Sequence, residues 1–191
     1  MISRRAVIIA AGLIVATLTA WLLFAGLPRW YGRSRARPGV AAASNASETP
    51  GRKIKAMLFY VSDDGMRLTR VERDVGFGEG TVEQARQIVE AQIAPVSEPL
   101  VSAVPAGTKL RSIFVTPVGD AFVDLSREIA AGHSGGSTNE ILTVYSIVNA
   151  LCANLPAVHS VELLIDGKQV ETLAGHVDLS RPLEKNLGWV Q

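Results

Sequence analysis

The stretch IKAMLFYVSDDGMRLTRVERDV, residues 54–75, sets the architecture of the chain. Ile54 to Val61 is an apolar run of β-favouring composition, and Ser62, Asp63, Asp64 and Gly65 end it as a turn. Leu68 to Val75 then alternates apolar with charged side chains, Leu68 and Val71 against Arg70 and Arg73. That alternation predicts a half-exposed strand pairing back on the first.

Toward the C-terminus the period changes from two to about 3.6. Thr81, with Gln84 three residues on, has capping-box spacing, and Val82, Ala85, Val89 and Ile93 recur at helical steps until Pro95. Leu110 to Thr116 and Ala121 to Leu125 read as two strands around Pro117, Val118 and Gly119. A second helix is predicted from Ser137, with Glu140 as box partner. Its apolar stripe is Ile141, Tyr145, Val148, Leu151 and Leu155, and Pro156 stops it. Val161 to Ile165, Asp166–Gly167 and Gln169 to Leu173 form a hairpin pattern, because a type I′ turn needs residues that tolerate positive φ. The order β-β-α-β-β-α-β-β predicts an α+β domain, two helices packed on one face of a mainly antiparallel or mixed sheet.

Upstream lies a segment of another kind. Ala6 to Leu27 is 22 positions long without one charged side chain, with Arg4 and Arg5 before it. At about 1.5 Å per residue it reaches roughly 33 Å, enough to cross the hydrocarbon core of a bilayer. Pro28 ends it, and Arg29, Trp30, Tyr31 and Arg33 suit a membrane–water interface. The apolar run exceeds that of a secretory signal, and bulky Leu23 stands two residues before Ala25, so an uncleaved anchor is expected rather than a removable leader. Arg29, Arg33, Arg35 and Arg37 oppose Arg4 and Arg5 across the span, so the positive-inside rule leaves its orientation near a tie.

Charge divides the chain as hydropathy does. Residues 1–52 carry seven arginines against Glu48, a formal +6, whereas 53–191 holds 12 Lys/Arg against 17 Asp/Glu, or −5. The acidic head argues against nucleic acid, which needs a basic face to release counterions. The basic stalk suits either anionic headgroups or simple solvation. Arg33 to Arg52, rich in Ala, Ser, Pro, Gly and Arg, reads as a flexible linker. The chain thus divides into an anchor at 1–28, a basic linker at 29–52 and a globular domain at 53–191. The single cysteine, Cys152, forbids an intrachain disulfide and reads as a small buried hydrophobe.

Several segments together resemble the GerMN domain: LFY at Leu58–Tyr60, VPAGTKL at Val104–Leu110, AFVDLS at Ala121–Ser126, SIVNAL at Ser146–Leu151, and VELLIDGKQVETLAGHVD at Val161–Asp178. The resemblance covers residues 54–183 in the family's order, and the ordered set carries it rather than any single piece. It implies a fold similar to ring-building modules of secretion-type complexes. It also implies a non-enzymatic module outside the bacterial cytoplasmic membrane, tethered by a lipid or a helix, meeting another envelope protein or itself. The chain differs from the sporulation protein behind the family name in carrying one such domain, and in having a helix where that protein has a lipidated cysteine.

One string has an enzymatic form. Gly132-His133-Ser134-Gly135-Gly136 matches G-x-S-x-G, and Asp166 and His176 follow in hydrolase order. The elbow needs a strand running straight into the serine, yet the predicted strand ends near Leu125, and Asp166 is already the turn residue of a hairpin. A glycine-rich loop is the expected reading, with a serine hydrolase or a binder of cell-wall ligands through residues 132–137 as the alternative. His133, His159 and His176 lack metal-ligand spacing, so no metal is expected. Asp124 and Ser126 read as local backbone caps, and Asn149 lies within the second helix. Gly76, Gly78 and Gly80 precede a helix without the lysine of a phosphate loop. No catalytic residue, cofactor or metal is assigned.

Overall fold

A computed structural model describes residues 51–191. The expected span at 6–27 and nearly all of the linker lie outside the described residues, among which no helix is long and apolar enough to cross a membrane.

The 54–75 stretch folds as read. β1 (Lys53–Val61) and β2 (Leu68–Gly76) pair antiparallel without a bulge, from Lys53 opposite Gly76 to Val61 opposite Leu68. Next come α1 (Gly80–Ile93), β3 (Leu110–Val115) and β4 (Asp120–Leu125). A single turn, α2 (Glu128–Ala131), precedes α3 (Ser137–Asn154). β5 (Ser160–Ile165), β6 (Lys168–Gln169), β7 (Leu183–Glu184) and a 3₁₀ turn at Leu187–Trp189 complete the chain. β3 and β4 are antiparallel, β4 and β5 parallel across α3, and β5 antiparallel to both β6 and β7. The domain is α+β with mixed pairing, as expected.

The topology departs from the sequence reading in three details. A third helix, α2, fills the predicted loop after Leu125. The last hairpin pairs only through Lys168 and Gln169, and β7 takes the place beside Ser160 and Val161. The sheet also falls into two pieces: on the edge of β1 away from β2, Val61 pairs with Val101, and helix side chains stand beside Met57 and Phe59. The Gln92 amide donates to Phe59 O at 2.7 Å and accepts from Phe59 N at 2.9 Å. Asn154 does the same for Met57, at 2.8 Å each way. A side-chain amide carries one acceptor and a pair of N–H donors, so each replaces the residue a neighbouring strand would present.

α3 contacts β1, α1, β5 and β7, and is therefore buried on more than the predicted stripe. Leu142, Val144, Ile147, Val148 and Leu151 are buried, whereas Ile141 and Tyr145 are only half-buried. They meet Leu58, Phe59 and Tyr60 of β1 and Ile88 and Val89 of α1 in one core. Each such side chain contributes about 1.5–3 kcal/mol.

Neither predicted capping box forms. The N-caps are Glu79 and Gly136, without side-chain bonds. Gln84 instead accepts from Gly78 N at 3.0 Å and donates to Gly76 O at 3.1 Å. A Cβ at Gly78 would run into the backbone of Glu83 and Gln84, so only glycine lets the loop lie this close to α1.

Candidate functional site

A groove beside the G-x-S-x-G string has a volume of about 490 Å³ and is lined among others by Val61, Ala103, Pro105, His133, Ser134 and Thr143. Gly135 and Gly136, at φ 79° and 86°, carry the chain from α2 into α3. His133 fastens that turn. Its Nδ1 accepts from Gly135 N at 2.9 Å, which leaves Nε2 as the protonated nitrogen facing Thr143 Oγ1 at 3.1 Å. Thr143 Oγ1 in turn donates to Ala103 O at 2.6 Å. Both ring nitrogens are thus engaged, and the ring ties the loop, α3 and the Ser102–Ala106 segment together. Ser134 is exposed, and its Oγ accepts from Asn139 Nδ2 at 3.1 Å.

The hydrolase partners are bound elsewhere. Asp166, at φ 50°, and Gly167, at φ 76°, form the turn between β5 and β6, with the positive φ at both positions that the pattern required. Asp166 Oδ1 accepts from Arg111 at 2.9 Å, and Oδ2 lies 3.5 Å from Arg127. His176 Nδ1 lies 3.0 Å from Glu140 Oε2. No hydrogen bond joins any two of Ser134, Asp166 and His176 among the described residues, and the element leading into Ser134 is a helix. The nucleophile-elbow arrangement is not built.

The structure places its most constrained ionisable group where the sequence suggested only a cap. The Glu140 side chain is fully buried at the start of α3. Its Oε1 accepts from Leu173 N at 2.9 Å and Ala174 N at 3.0 Å, and its Oε2 from His176 N at 2.9 Å. Burial pushes this carboxyl up, yet the backbone N–H groups of Ala174, Leu173, Val177 and His176 together hold it below the usual glutamate range. Glu140, Thr143, Ser146 and Asn149 form a buried polar row at three-residue spacing on α3. At 100° per residue this row winds half-way round α3, so its members meet different segments: Glu140 the 173–176 loop, Thr143 Ala103, and Asn149 Asn186.

The remaining candidates have structural duties over longer reach than the sequence implied. Asp124 caps Gly167 N at 2.7 Å, and Ser126 caps Lys109 N at 2.9 Å, so both bind distant rather than local backbone. Asn149 exchanges two 2.9 Å bonds with the backbone of Asn186 and fixes the C-terminal segment. The free N–H of Gly78 is taken by Gln84. Burial pushes the Cys152 thiol up to about 11, away from the thiolate form that reacts. His159 is exposed, and no group of three His, Cys, Asp or Glu with metal-binding geometry occurs among the described residues.

An α+β module whose polar side chains serve its own backbone is the class that this geometry defines. The family described as "Germane: Sporulation and spore germination" matches residues 57–171, more than half of the chain, and the chain belongs to it. Solved structures agree on the fold. The tandem GerMN domains of the sporulation protein GerM from Bacillus subtilis superpose with a TM-score of 0.55 at 19% identity, over 70% of this chain and 46% of that one. The first of those domains alone gives 0.51 at 19% identity, over 69% and 97%. A protein described as a lipoprotein from Clostridium perfringens gives 0.50 at 23% identity, over 70% and 88%. No curated protein matches the chain.

Proposed function

We propose that the chain is a non-enzymatic, membrane-tethered, extracytoplasmic interaction module of a bacterial cell-envelope assembly, anchored through residues 6–27. The observation that carries this reading is the contrast between occupied chemistry and open surface. His133, Ser134, Asp166, His176 and Glu140 spend their bonds within the domain, whereas Phe114 is 59% and Val118 74% exposed on the β3–β4 hairpin. Apolar side chains left on a sheet surface suit a protein partner. The described lipoprotein nature of the Clostridium perfringens relative supports attachment at a membrane and an external domain.

The test is a reporter active only outside the cytoplasm, fused after Gln191, paired with protease access to the domain. External activity with cleavage is expected, and cross-linking in the native cell then recovers an envelope protein. A cytoplasmic domain overturns the reading.

The groove at Ala103, Pro105, His133 and Ser134 favours a second reading, in which the 132–137 loop holds a cell-wall fragment. Titration with soluble wall fragments tests it, and unchanged resonances of His133 and Thr143 would exclude it.

A further inference from the structure

Ile141 and Tyr145 lie one turn apart on α3 and, unlike the rest of the predicted stripe, are only half-buried. They form one wall of a groove of about 480 Å³, whose other wall is the chain from His176 to Leu183 together with Trp189. Leu183 and Trp189 are half-buried as well, so the lining is apolar and still open to solvent. His176 and Arg181 are exposed along it.

The bonds already made there define what is left over. Glu140 is an ionised acceptor held by backbone N–H groups, so its 3.0 Å contact with His176 Nδ1 places a proton on that nitrogen. Nε2 of the neutral ring is then an acceptor, and it has no partner among the described residues. Because Glu140 is fully buried, it keeps the imidazole in one tautomer and one orientation before any ligand arrives. Asp178 Oδ1 accepts from the backbone N–H and the hydroxyl of Ser180. Its Oδ2 lies 3.5 Å from Arg181, a contact that leaves most of the guanidinium's N–H donors free. The groove thus offers one fixed acceptor, one planar cation and an apolar lining.

We infer that this groove binds the C-terminal end of a partner protein whose last residue is large and apolar. The inference rests on the interaction-module reading and names its site and the chemistry of its partner. A free carboxylate matches the guanidinium, which can hold both oxygens side by side. The backbone N–H of the last residue matches His176 Nε2. Its side chain enters between Ile141, Tyr145, Leu183 and Trp189, where a methyl group would leave most of the volume unfilled.

Fluorescence polarisation with the full-length protein in detergent tests the site. The probes are fluorescein-labelled hexapeptide pools with random upstream positions and one fixed last residue. Saturable binding is expected for pools ending in leucine or phenylalanine, and about ten-fold weaker binding for those ending in alanine or aspartate. Amidating the terminal carboxylate of the leucine pool weakens it about ten-fold, and methylating the last peptide nitrogen about five-fold. Arg181→Gln abolishes the difference between acid and amide, and Arg181→Lys retains part of it. Both change an exposed side chain, so the denaturant midpoint stays at the parent value. Equal binding of acid and amide, or an acid preference that survives Arg181→Gln, overturns the inference. So does equal binding of pools ending in D-leucine, displacement by soluble cell-wall fragments, or the absence of saturable binding. These readouts need only the purified protein, and the reporter fusion reports only the side of the membrane, so each can fail alone.

Discussion

Glu140 Oε2 receives both the backbone N–H and the ring Nδ1 of His176, at 2.9 and 3.0 Å, from 36 residues away in sequence. A carboxylate with no solvent contact thereby sets the path of the chain from Leu173 to His176, a segment that has neither helix nor strand of its own.

Glu140→Gln should cost about 2–4 kcal/mol, since an amide N–H₂ replaces an acceptor that is itself fully buried against three backbone donors. The pH dependence follows from the depressed carboxyl. Its stabilising contribution is present above the unfolded-state value of about 4.3 and is lost as pH falls toward the lower folded value. Urea unfolding between pH 7 and pH 3 should show that loss in the parent and a flatter profile in Glu140→Gln.

Replacing Gln92 or Asn154 by Leu leaves the backbone of Phe59 or Met57 without its partner. Each change should lower stability by about 1–3 kcal/mol despite adding apolar volume. Denaturant midpoints check this, and Gln87→Leu, on the half-exposed side of α1, serves as the control expected to stay within about 0.5 kcal/mol.

His133 and Ser134 are adjacent but should behave oppositely. His133→Ala releases Gly135 N and Thr143 and should cost about 1–2 kcal/mol, with faster amide exchange across 132–137. Ser134→Ala should stay within about 0.5 kcal/mol of the parent and leave complex formation in the cell unchanged.

Gly167→Ala tests the turn. Nothing lies within 4 Å of a Cβ placed there, so the expected loss of about 1–2 kcal/mol is conformational, arising from φ 76° alone. Thermal unfolding measures it.

The parts of the fold legible in sequence are those fixed by local rules. The 54–75 hairpin follows from two-residue alternation, α1 and α3 from helical period between a turn and a proline, and the Asp166–Gly167 turn from φ requirements. What was not legible depends on partners far apart in the chain. Gln92 and Asn154 read as ordinary helix polar residues until β1 is laid beside them. Glu140 matched a capping box by spacing, and the backbone of a distant loop, Leu173 to His176, binds its carboxylate instead of the helix terminus. The end of the strand near Leu125, which tells against the G-x-S-x-G elbow, was legible, whereas the helical turn at Glu128–Ala131 that fills the gap was announced by no local pattern.

The amides on the β1 edge also govern what the hairpin can grow into. A two-stranded ribbon with both sides bare accepts a strand on each, and every addition exposes a fresh side, which is how ordered aggregates lengthen without limit. Here Gln92 and Asn154 occupy one side from within at Phe59 and Met57, so an arriving strand finds those backbone groups already taken. Growth on that side has a built-in stopping point.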